Sequence, residues 1–343
     1  MARGPRPSGG AITIRAVAER AGVSAMTVSY VLNESKPVRP TTRAAVLKAV
    51  TELGYVPNAA ARALATASST RIGVLYFDTS HTFVSAMLAG ALSAAARTGA
   101  QVIAKQCDSF AIENTGPALL ALVQEGANGI LIYPPISGIL SGTETMAKLG
   151  APVCVIAQGD ALPDMDTVGL DEVGAARAMT EYLLQRGHRR IGFLTGDLEH
   201  ASALKRLEGY KAALQAGGID IDPALIVQAD YRFEGGAAVT HQLLDLADRP
   251  TAIFASNDDM AAGVSLVVHQ RGLKVPQDIA IAGFDDSFFA TRIWPQLTTI
   301  RQDVAAMSER ATQILIARHR EGRVHAPPRA ERLPFQLIER QST

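Results

Sequence analysis

From residue 72 onward, short apolar runs alternate with segments of helical pattern, and this alternation constrains the fold more than any other feature of the sequence. A first series contains "RIGVLYF", "QVIAKQC", "GILIYP" and "PVCVIAQ", and a second contains "RIGFLTG", "ALIVQAD", "TAIFASND" and "IAIAGFDD". Apolar strands separated by helices are typical of parallel sheets that are buried between helical layers. We therefore predict an α/β core of two doubly wound parallel-sheet subdomains.

Polar residues follow several of these strands directly, in "YFD", "SND" and "GFDD". In doubly wound sheets, ligands bind beyond the carboxyl ends of the strands. Paired carboxylates such as Asp258 and Asp259 could serve acid–base chemistry. The better interpretation is that they accept hydrogen bonds from a hydroxyl-rich ligand, because the chain contains no Walker, GxGxxG, HExxH, GxSxG or SxxK motif.

The N-terminal part of the chain has the pattern of three short helices. Thr13 can cap the first helix, Gly22 can end it, and Ser24 can cap the second after a short turn. Two helices joined by a short turn that contains glycine are typical of a helix-turn-helix. Pro40 suits the first turn of a third helix, and Gly54 suits its end.

The charge distribution separates this head from the rest of the chain. Residues 1–70 contain nine lysine and arginine residues but three acidic ones, which leaves 24 basic and 30 acidic residues in the remainder. A basic head on an acidic body indicates an anionic partner for the head. The second helix, in "VSAMTVSYVLN", contains no charged residue, which is unusual for a helix that faces water.

Other classes of protein are disfavoured by composition. No run of residues is long and apolar enough for a membrane helix, and "MARGPRPSGG" lacks the apolar segment of a secretory signal. The two cysteines are far apart and the histidines lack metal-ligand spacing, so we expect neither a structural metal nor a cofactor. These features predict a cytoplasmic protein that is not an enzyme.

An ordered series of motifs resembles the lactose-repressor/galactose-repressor (LacI/GalR) family over nearly the whole chain. The head carries "TIRAVAERAGVSAMTVSYVLN" and "ELGYVPNAAARALA", and the body carries "RGHRRIGFLTG", "RLEGYKAAL", "IFASNDDMAAG", "VPQDIAIAGFDD" and "PQLTTIRQD". The resemblance implies a transcriptional repressor, with a core like that of the type I periplasmic binding proteins. Its expected partners are pseudo-palindromic operator DNA, a small-molecule effector, most often a sugar or sugar derivative, and a second copy of the chain.

The resemblance divides the chain into five parts. It implies a disordered tail at 1–10, a helix-turn-helix domain at 11–57 and a hinge helix with its linker at 58–70. The N-terminal core subdomain is expected at 71–170 with about 300–328, and the C-terminal core subdomain at 171–299 with about 329–343. The segment "ERLPFQLIERQST" is expected to form one strand, and it lacks the heptad repeat of a tetramer-forming tail.

The second helix of a helix-turn-helix enters the major groove, where small side chains allow close approach to base edges. The resemblance implies that Ala25, Met26 and Tyr30 read bases. Contacts to phosphates, or support of the register, are expected from Thr13, Ser24, Thr27, Ser29 and Asn33. For Met26 and Tyr30, packing inside the head is the alternative. The hinge residues Asn58, Arg62 and Leu64 complete the set, and Leu64 is expected to wedge into the minor groove.

The resemblance also implies the residues that bind the effector. Arg206, Asn257 and Asp285 match the family's polar ligand-binding positions most clearly, and Phe83, Gln158, Asp171 and Tyr231 are weaker candidates. A surface salt bridge is the alternative for Arg206, and simple packing is the alternative for Phe83. Trp294 is expected to pack in the interior. The sequence leaves open whether the effector releases the operator or promotes its binding.

Two other classes of protein share some of these features. A solute-binding protein of a transport system has the same core fold, but it should carry a secretion signal and no basic three-helix head. An enzyme with a regulatory head is disfavoured by the missing catalytic motifs.

Overall fold

The computed structural model describes residues 13–33, 37–55, 70–77 and 81–343. The chain divides into two compact units, a head that ends at Ser69 and a core that begins at Thr70. The expected tail at 1–10 and the hinge at 58–69 lie outside the described residues. No helix among the described residues is long and apolar enough to cross a membrane.

The head contains the three predicted helices: α1 (Ile14–Ala21), α2 (Ala25–Asn33) and α3 (Pro40–Leu53). The predicted caps are confirmed: the Thr13 hydroxyl accepts a hydrogen bond from Ala16 N, and Ser24 Oγ accepts one from Thr27 N at 3.1 Å. Gly22 ends α1 and Gly54 ends α3 with φ of 65° and 61°, a left-handed conformation that favours glycine. The three helices enclose a small core centred on valines.

The core contains two six-stranded sheets with helices against them, as predicted. Its strands are β1 (Arg71–Tyr76), β2 (Gln101–Gln106), β3 (Gly129–Ile132), β4 (Val153–Ile156), β5 (Asp166–Gly169), β6 (Ile191–Thr195), β7 (Ile226–Gln228), β8 (Ala252–Ala255), β9 (Ala280–Asp285), β10 (Thr298–Arg301), β11 (Ala330–Arg332) and β12 (Gln336–Ile338). Its helices are α4 (His81–Thr98), α5 (Ile112–Gln124), α6 (Ile136–Leu140), α7 (Glu144–Lys148), α8 (Glu172–Gln185), α9 (Ala201–Ala216), α10 (Phe233–Leu244), α11 (Asp258–Gln270) and α12 (Val304–Arg320). Short 3₁₀ helices lie at Pro223–Leu225 and Phe288–Thr291.

Each sheet is the centre of one subdomain. The first sheet has the order β11-β5-β4-β3-β1-β2 and is parallel throughout, with α4 and α12 packed together against it. The second has the order β12-β10-β9-β8-β6-β7 and is parallel except for the edge strand β12. The central strands β3, β4, β6 and β8 are buried along their whole length, which explains their continuous apolar runs.

The end of the chain corrects the sequence prediction. Instead of one strand in the second subdomain, it forms two: β11 pairs with β5 in the first sheet, and β12 pairs antiparallel with β10 in the second. Pro334 lies between them, and a proline cannot donate a hydrogen bond to a strand ladder. The expected assignment of 329–343 to the second subdomain is therefore wrong for Ala330–Arg332.

The chain crosses between the two sheets after β5, after β10 and after β11. The sequence pattern did not predict β5, "DTVG", or β10, "TTIR", because both are short and partly polar. The buried carboxylate of Asp166 in β5 accepts two hydrogen bonds from Arg318 of α12 and one from Arg329 N, which compensate for its burial. The prediction for Trp294 was also wrong, since this residue is 77% exposed.

Candidate functional site

In the head, α2 presents the residues expected to read DNA. Met26 is 63% exposed, which contradicts the alternative that it packs inside the head. Tyr30 and Ser29 are partly exposed, whereas Ala25 is partly buried against the head core. The hydroxyls of Ser24 and Thr27 lie 2.9 Å apart, and Ser24 Oγ caps α2 by accepting a hydrogen bond from Thr27 N. The structure thus places Met26 as the most prominent side chain on this face.

Two of the predicted DNA contacts lie at the ends of the head helices. Thr13 caps α1, and Asn33 is the last residue of α2. The hinge residues Asn58, Arg62 and Leu64 lie outside the described residues.

In the core, a cavity of about 70 Å³ lies between the two subdomains, at the carboxyl ends of the strands of both sheets. Five of the seven predicted effector-binding residues line it: Phe83, Arg206, Tyr231, Asn257 and Asp285. Each comes from an element that ends or begins at this edge; Asn257, for example, separates β8 from α11. The topology of two parallel sheets therefore gathers residues that are far apart in sequence.

Arg206 is 3% exposed, so it does not form a surface salt bridge. Its Nε donates to Glu172 Oε2 at 2.7 Å, and its Nη1 donates to the carbonyl of Ser256 at 2.5 Å. The guanidinium carbon also lies 3.6 Å from the centre of the Phe284 ring. Burial by itself lowers the pKa of Arg206, but the nearby negative charge of Glu172 raises it above the ordinary value, so the side chain stays charged.

Asp285 is the last residue of β9, and its Oδ1 accepts a hydrogen bond from Gln302 Nε2 at 2.5 Å. Burial raises the pKa of Asp285 well above its usual value, although Arg206 favours the charged form. Behind it, Asp258 accepts hydrogen bonds from the Thr299 hydroxyl at 2.7 Å and from Ser287 N at 2.6 Å. Burial raises the pKa of Asp258 to about 7.

Asn257 and Tyr231 hold one another in place. The Asn257 side chain donates to the carbonyl of Tyr231 at 2.9 Å and accepts from Met260 N at 2.9 Å, so it caps α11 while facing the cavity. The Tyr231 hydroxyl lies 3.3 Å from Ser202 Oγ. Burial raises the pKa of Tyr231 to about 12, so the hydroxyl remains protonated at neutral pH.

The backbone at the cavity is strained. Ala157, Tyr231 and Asp285 have φ of 54°, 65° and 117°, in the region that non-glycine residues avoid. Such residues concentrate at functional sites, where the surrounding structure holds them in place. The strain therefore supports the assignment of this cavity as the candidate site.

Two predicted residues do not reach the cavity. Asp171 caps α8, where its carboxylate accepts a hydrogen bond from Gly174 N at 3.0 Å. Gln158 is buried beside Ala157 but does not line the cavity. For Asp171, the position directly before a helix was a sufficient signal for a cap.

The sequence prediction missed six lining residues: Tyr133, Pro134, Ala157, His200, Ser202 and Gln302. Tyr133 and Pro134 are the last two residues of the predicted strand "GILIYP", and this position at the carboxyl end of a strand could have identified them. His200 precedes α9, and its ring lies 5.2 Å from that of Tyr231. Burial lowers the pKa of His200 to about 4, so the ring is neutral at pH 7. Among the residues that the structure describes, no group of His, Cys, Asp and Glu is arranged to hold a metal ion.

Family models match both parts of the chain. Residues 13–58 match the model of bacterial regulatory proteins of the lacI family, and residues 180–343 match a periplasmic binding protein-like domain. Catabolite control protein A of Priestia megaterium is 33% identical over 97% of this chain and 99% of its own length. The ribose operon repressor of Escherichia coli strain K12 is 34% identical over 89% of this chain and 92% of its own.

Solved structures agree with these relationships. The lac repressor bound to ONPG in its repressed state superimposes with a TM-score of 0.72 at 28% identity, covering 97% of this chain and all of the other. The complex of the transcriptional regulator CelR with cellobiose superimposes with a TM-score of 0.71 at 28% identity and with the same coverage. With its helix-turn-helix head and its two-subdomain core, the chain belongs to the LacI family of bacterial transcriptional regulators.

Proposed function

We propose that this regulator is a repressor whose binding to operator DNA is controlled by a saccharide bound in the cavity between the core subdomains. The observation that carries this proposal is the cavity itself, which brings Arg206, Asn257 and Asp285 together beside aromatic rings. These groups offer donors and acceptors to vicinal hydroxyls, and the rings of Phe83 and Tyr231 offer surfaces for the apolar face of a sugar. Named relatives include a ribose operon repressor and a cellobiose complex.

DNA binding is assigned to the head. In this proposal α2 lies in the major groove with Met26 and Tyr30 toward base edges, while Ser24, Thr27 and Ser29 lie toward phosphates. The uncharged face of α2 supports this placement, because carboxylates there would be repelled by the DNA backbone. The hinge residues Asn58, Arg62 and Leu64 are proposed to complete the interface.

The functional unit is proposed to be a homodimer on a two-fold symmetric operator, in the cytoplasm. The lac repressor has been solved as a dimer bound to operator, which supports this assembly. Two copies of the head on one operator require half-sites that are related by the same two-fold axis.

Operator selection from random DNA, followed by a mobility-shift titration of the full-length protein, tests the proposal. We expect a palindromic site, a strong decrease in affinity with increasing salt, and a change in affinity when a cognate saccharide is added. Met26→Glu is the matched control, because it should abolish the shift and leave saccharide binding unchanged. A wild-type protein that selects no sequence, or a Met26→Glu variant that binds operator normally, would contradict the proposal.

A further inference from the structure

The cavity between the subdomains does not stand alone. A second, larger space of about 560 Å³ adjoins it, and we term this space the vestibule. The two share the lining residues Phe83, Asp285 and Gln302, which therefore form the boundary between them. The rest of the vestibule is formed by both subdomains, including Ser85 of α4 and Phe288 of the second subdomain. A ligand that passes this boundary can thus occupy both spaces.

Charge restricts what such a ligand can be. The guanidinium of Arg206 is paired with Glu172 at 2.7 Å, and that of Arg301, which lines the vestibule, is paired with Asp286 at 2.6 Å. Asp303 adds a further carboxylate to the lining of the vestibule. A phosphate or carboxylate on the ligand would face this negative charge, and the arginines that line the two spaces, Arg206 and Arg301, are already paired.

Two of the helix N-termini at the cleft are already capped by side chains. The Asp303 carboxylate caps α12 by accepting a hydrogen bond from Ala306 N at 2.8 Å, and Asn257 caps α11. These helix ends therefore already carry an acceptor and offer little to an anion.

Gln302 supplies an acceptor at the boundary itself. Its Nε2 donates to Asp285, and its Oε1 is buried without a hydrogen-bond partner among the described residues. A buried carbonyl oxygen without a donor is costly, so this position favours a ligand that brings a hydroxyl group to the boundary. With Asp285 beside it, the boundary is acceptor-rich and matches a donor-rich, uncharged ligand.

Aromatic side chains lie on both sides of Gln302, in the cavity and in the vestibule. Phe83 belongs to the boundary and packs 5.2 Å from the ring of Tyr133 in the cavity. Phe288 is 56% exposed in the vestibule, where the guanidinium of Arg292 lies 3.8 Å from its ring centre. Each space therefore offers an aromatic surface for the apolar face of a saccharide ring.

Resting on the proposed function, we infer that the effector is an uncharged saccharide of at least two rings. One ring occupies the cavity against Arg206 and Asn257, and the other occupies the vestibule against Phe288. Gln302 accepts a hydrogen bond from a hydroxyl near the linkage. Single-ring sugars fill one of the two spaces, and phosphorylated sugars are rejected.

Calorimetric titration of the full-length protein tests this inference. The probes are glucose and galactose, the neutral disaccharides cellobiose, lactose, maltose and trehalose, and the anionic sugars glucose 6-phosphate and trehalose 6-phosphate. We expect one neutral disaccharide to bind at least tenfold more tightly than its component sugars and than either phosphate. A monosaccharide or a phosphate that binds as tightly as the best disaccharide would overturn the inference.

A blocked vestibule provides the second arm. Ser85 is exposed on α4, so Ser85→Trp should fold and fill the vestibule, which should reduce disaccharide affinity at least tenfold and leave monosaccharide affinity unchanged. Ala96→Trp, at an exposed position near the other end of α4, is the control and should change neither. Undiminished disaccharide binding by Ser85→Trp would also overturn the inference. Failure of every sugar to bind the wild type would instead contradict the proposed function.

Discussion

Glu172 and Arg206 form a buried, two-point ion pair, in which Nε and Nη2 of the arginine donate to the two carboxylate oxygens at 2.7 and 3.3 Å. Glu172 stands in the first turn of α8, immediately after the chain crosses from the first sheet, and Arg206 lines the cavity. The pair thus connects the crossover between the subdomains with the site of ligand binding.

Removal of the carboxylate should be strongly destabilising. Glu172→Gln leaves the Arg206 charge buried without its partner, and breaking such a pair costs about 3–5 kcal/mol. Urea unfolding of the core measures the loss. Glu181→Gln on the same helix removes an exposed partner of Arg177 and should change stability by less than about 0.5 kcal/mol. Equal effects of the two substitutions would contradict the structural role of the buried pair.

The stabilising contribution of the protonated Asp258 side chain should be lost as the pH rises from about 4 to 7. Burial raises the pKa of Asp258 to about 7, so over this range the unfolded chain releases the proton while the folded protein retains it. Each unit of difference between the native and unfolded pKa contributes about 1.4 kcal/mol. Below the pKa that Asp258 has in the unfolded chain, the side chain is protonated in both the folded and the unfolded state. Its full contribution to stability is present there.

The measurement is urea unfolding at a series of pH values, with Asp258→Asn as the comparison. The asparagine side chain retains an acceptor for Ser287 N but cannot ionise. The loss of stability that Asp258 contributes between pH 4 and 7 should therefore be absent from the variant. Asp285, whose pKa is also raised, is still present in the variant and continues to contribute to the change of stability with pH. Identical slopes for the two proteins would show that Asp258 does not titrate in this range.

Gly90 marks a close approach between two helices. A Cβ at this position of α4 would lie 2.1 Å from the carbonyl oxygen of Ala305, which belongs to the backbone of α12. Gly90→Ala should therefore push the helices apart and destabilise the core by about 1–3 kcal/mol. Gly138→Ala, at an exposed position of α6 where a Cβ would have no atom within 4 Å, should be neutral or stabilising by up to about 1 kcal/mol. Thermal unfolding of both variants is the measurement. Destabilisation of Gly90→Ala alone indicates a steric cause, whereas equal destabilisation of both variants indicates that the loss of glycine is sufficient.

The sequence was most informative where a structure is determined locally. Thr13, Gly22 and Ser24 could be assigned from their own residue types and spacing, because capping depends on neighbouring backbone groups. Arg206, Asn257 and Asp285 could be assigned because each lies inside an extended motif. Their distances from one another, and the partner of Arg206 at position 172, depend on how two sheets meet, which no local pattern specifies.

The residues and strands that the sequence prediction missed also depend on how distant parts of the chain meet. Tyr133, His200 and Gln302 reach the cavity only because distant strands end at one edge, so residue type gave no signal for them. The two strands at the end of the chain join different sheets, and that choice depends on partners more than 30 residues away. Asp171 differs from these residues, because it caps α8 and does not line the cavity, and a cap of this kind can be recognised from the local sequence.

The hinge should be essential for operator binding but not for ligand binding. The family resemblance implies that Leu64, outside the described residues, inserts between base pairs, and a wedge of this kind gains affinity by bending the DNA. Leu64→Ala should therefore weaken operator binding at least tenfold in a mobility-shift titration. Saccharide affinity should stay within twofold of the wild type. Equal operator affinity of the two proteins would contradict the assigned role of Leu64.

Tyr30 should determine part of the operator sequence. Its phenol can form fewer directed hydrogen bonds to a base than an arginine, which pairs with guanine through two donors. Tyr30→Arg should shift the selected site toward guanine at one symmetric position in each half-site, and it should strengthen the salt dependence of binding because it adds a positive charge. Selection from random DNA with both proteins measures the shift. If both proteins select the same sequence, Tyr30 does not face the bases and α2 is docked differently from the proposed geometry.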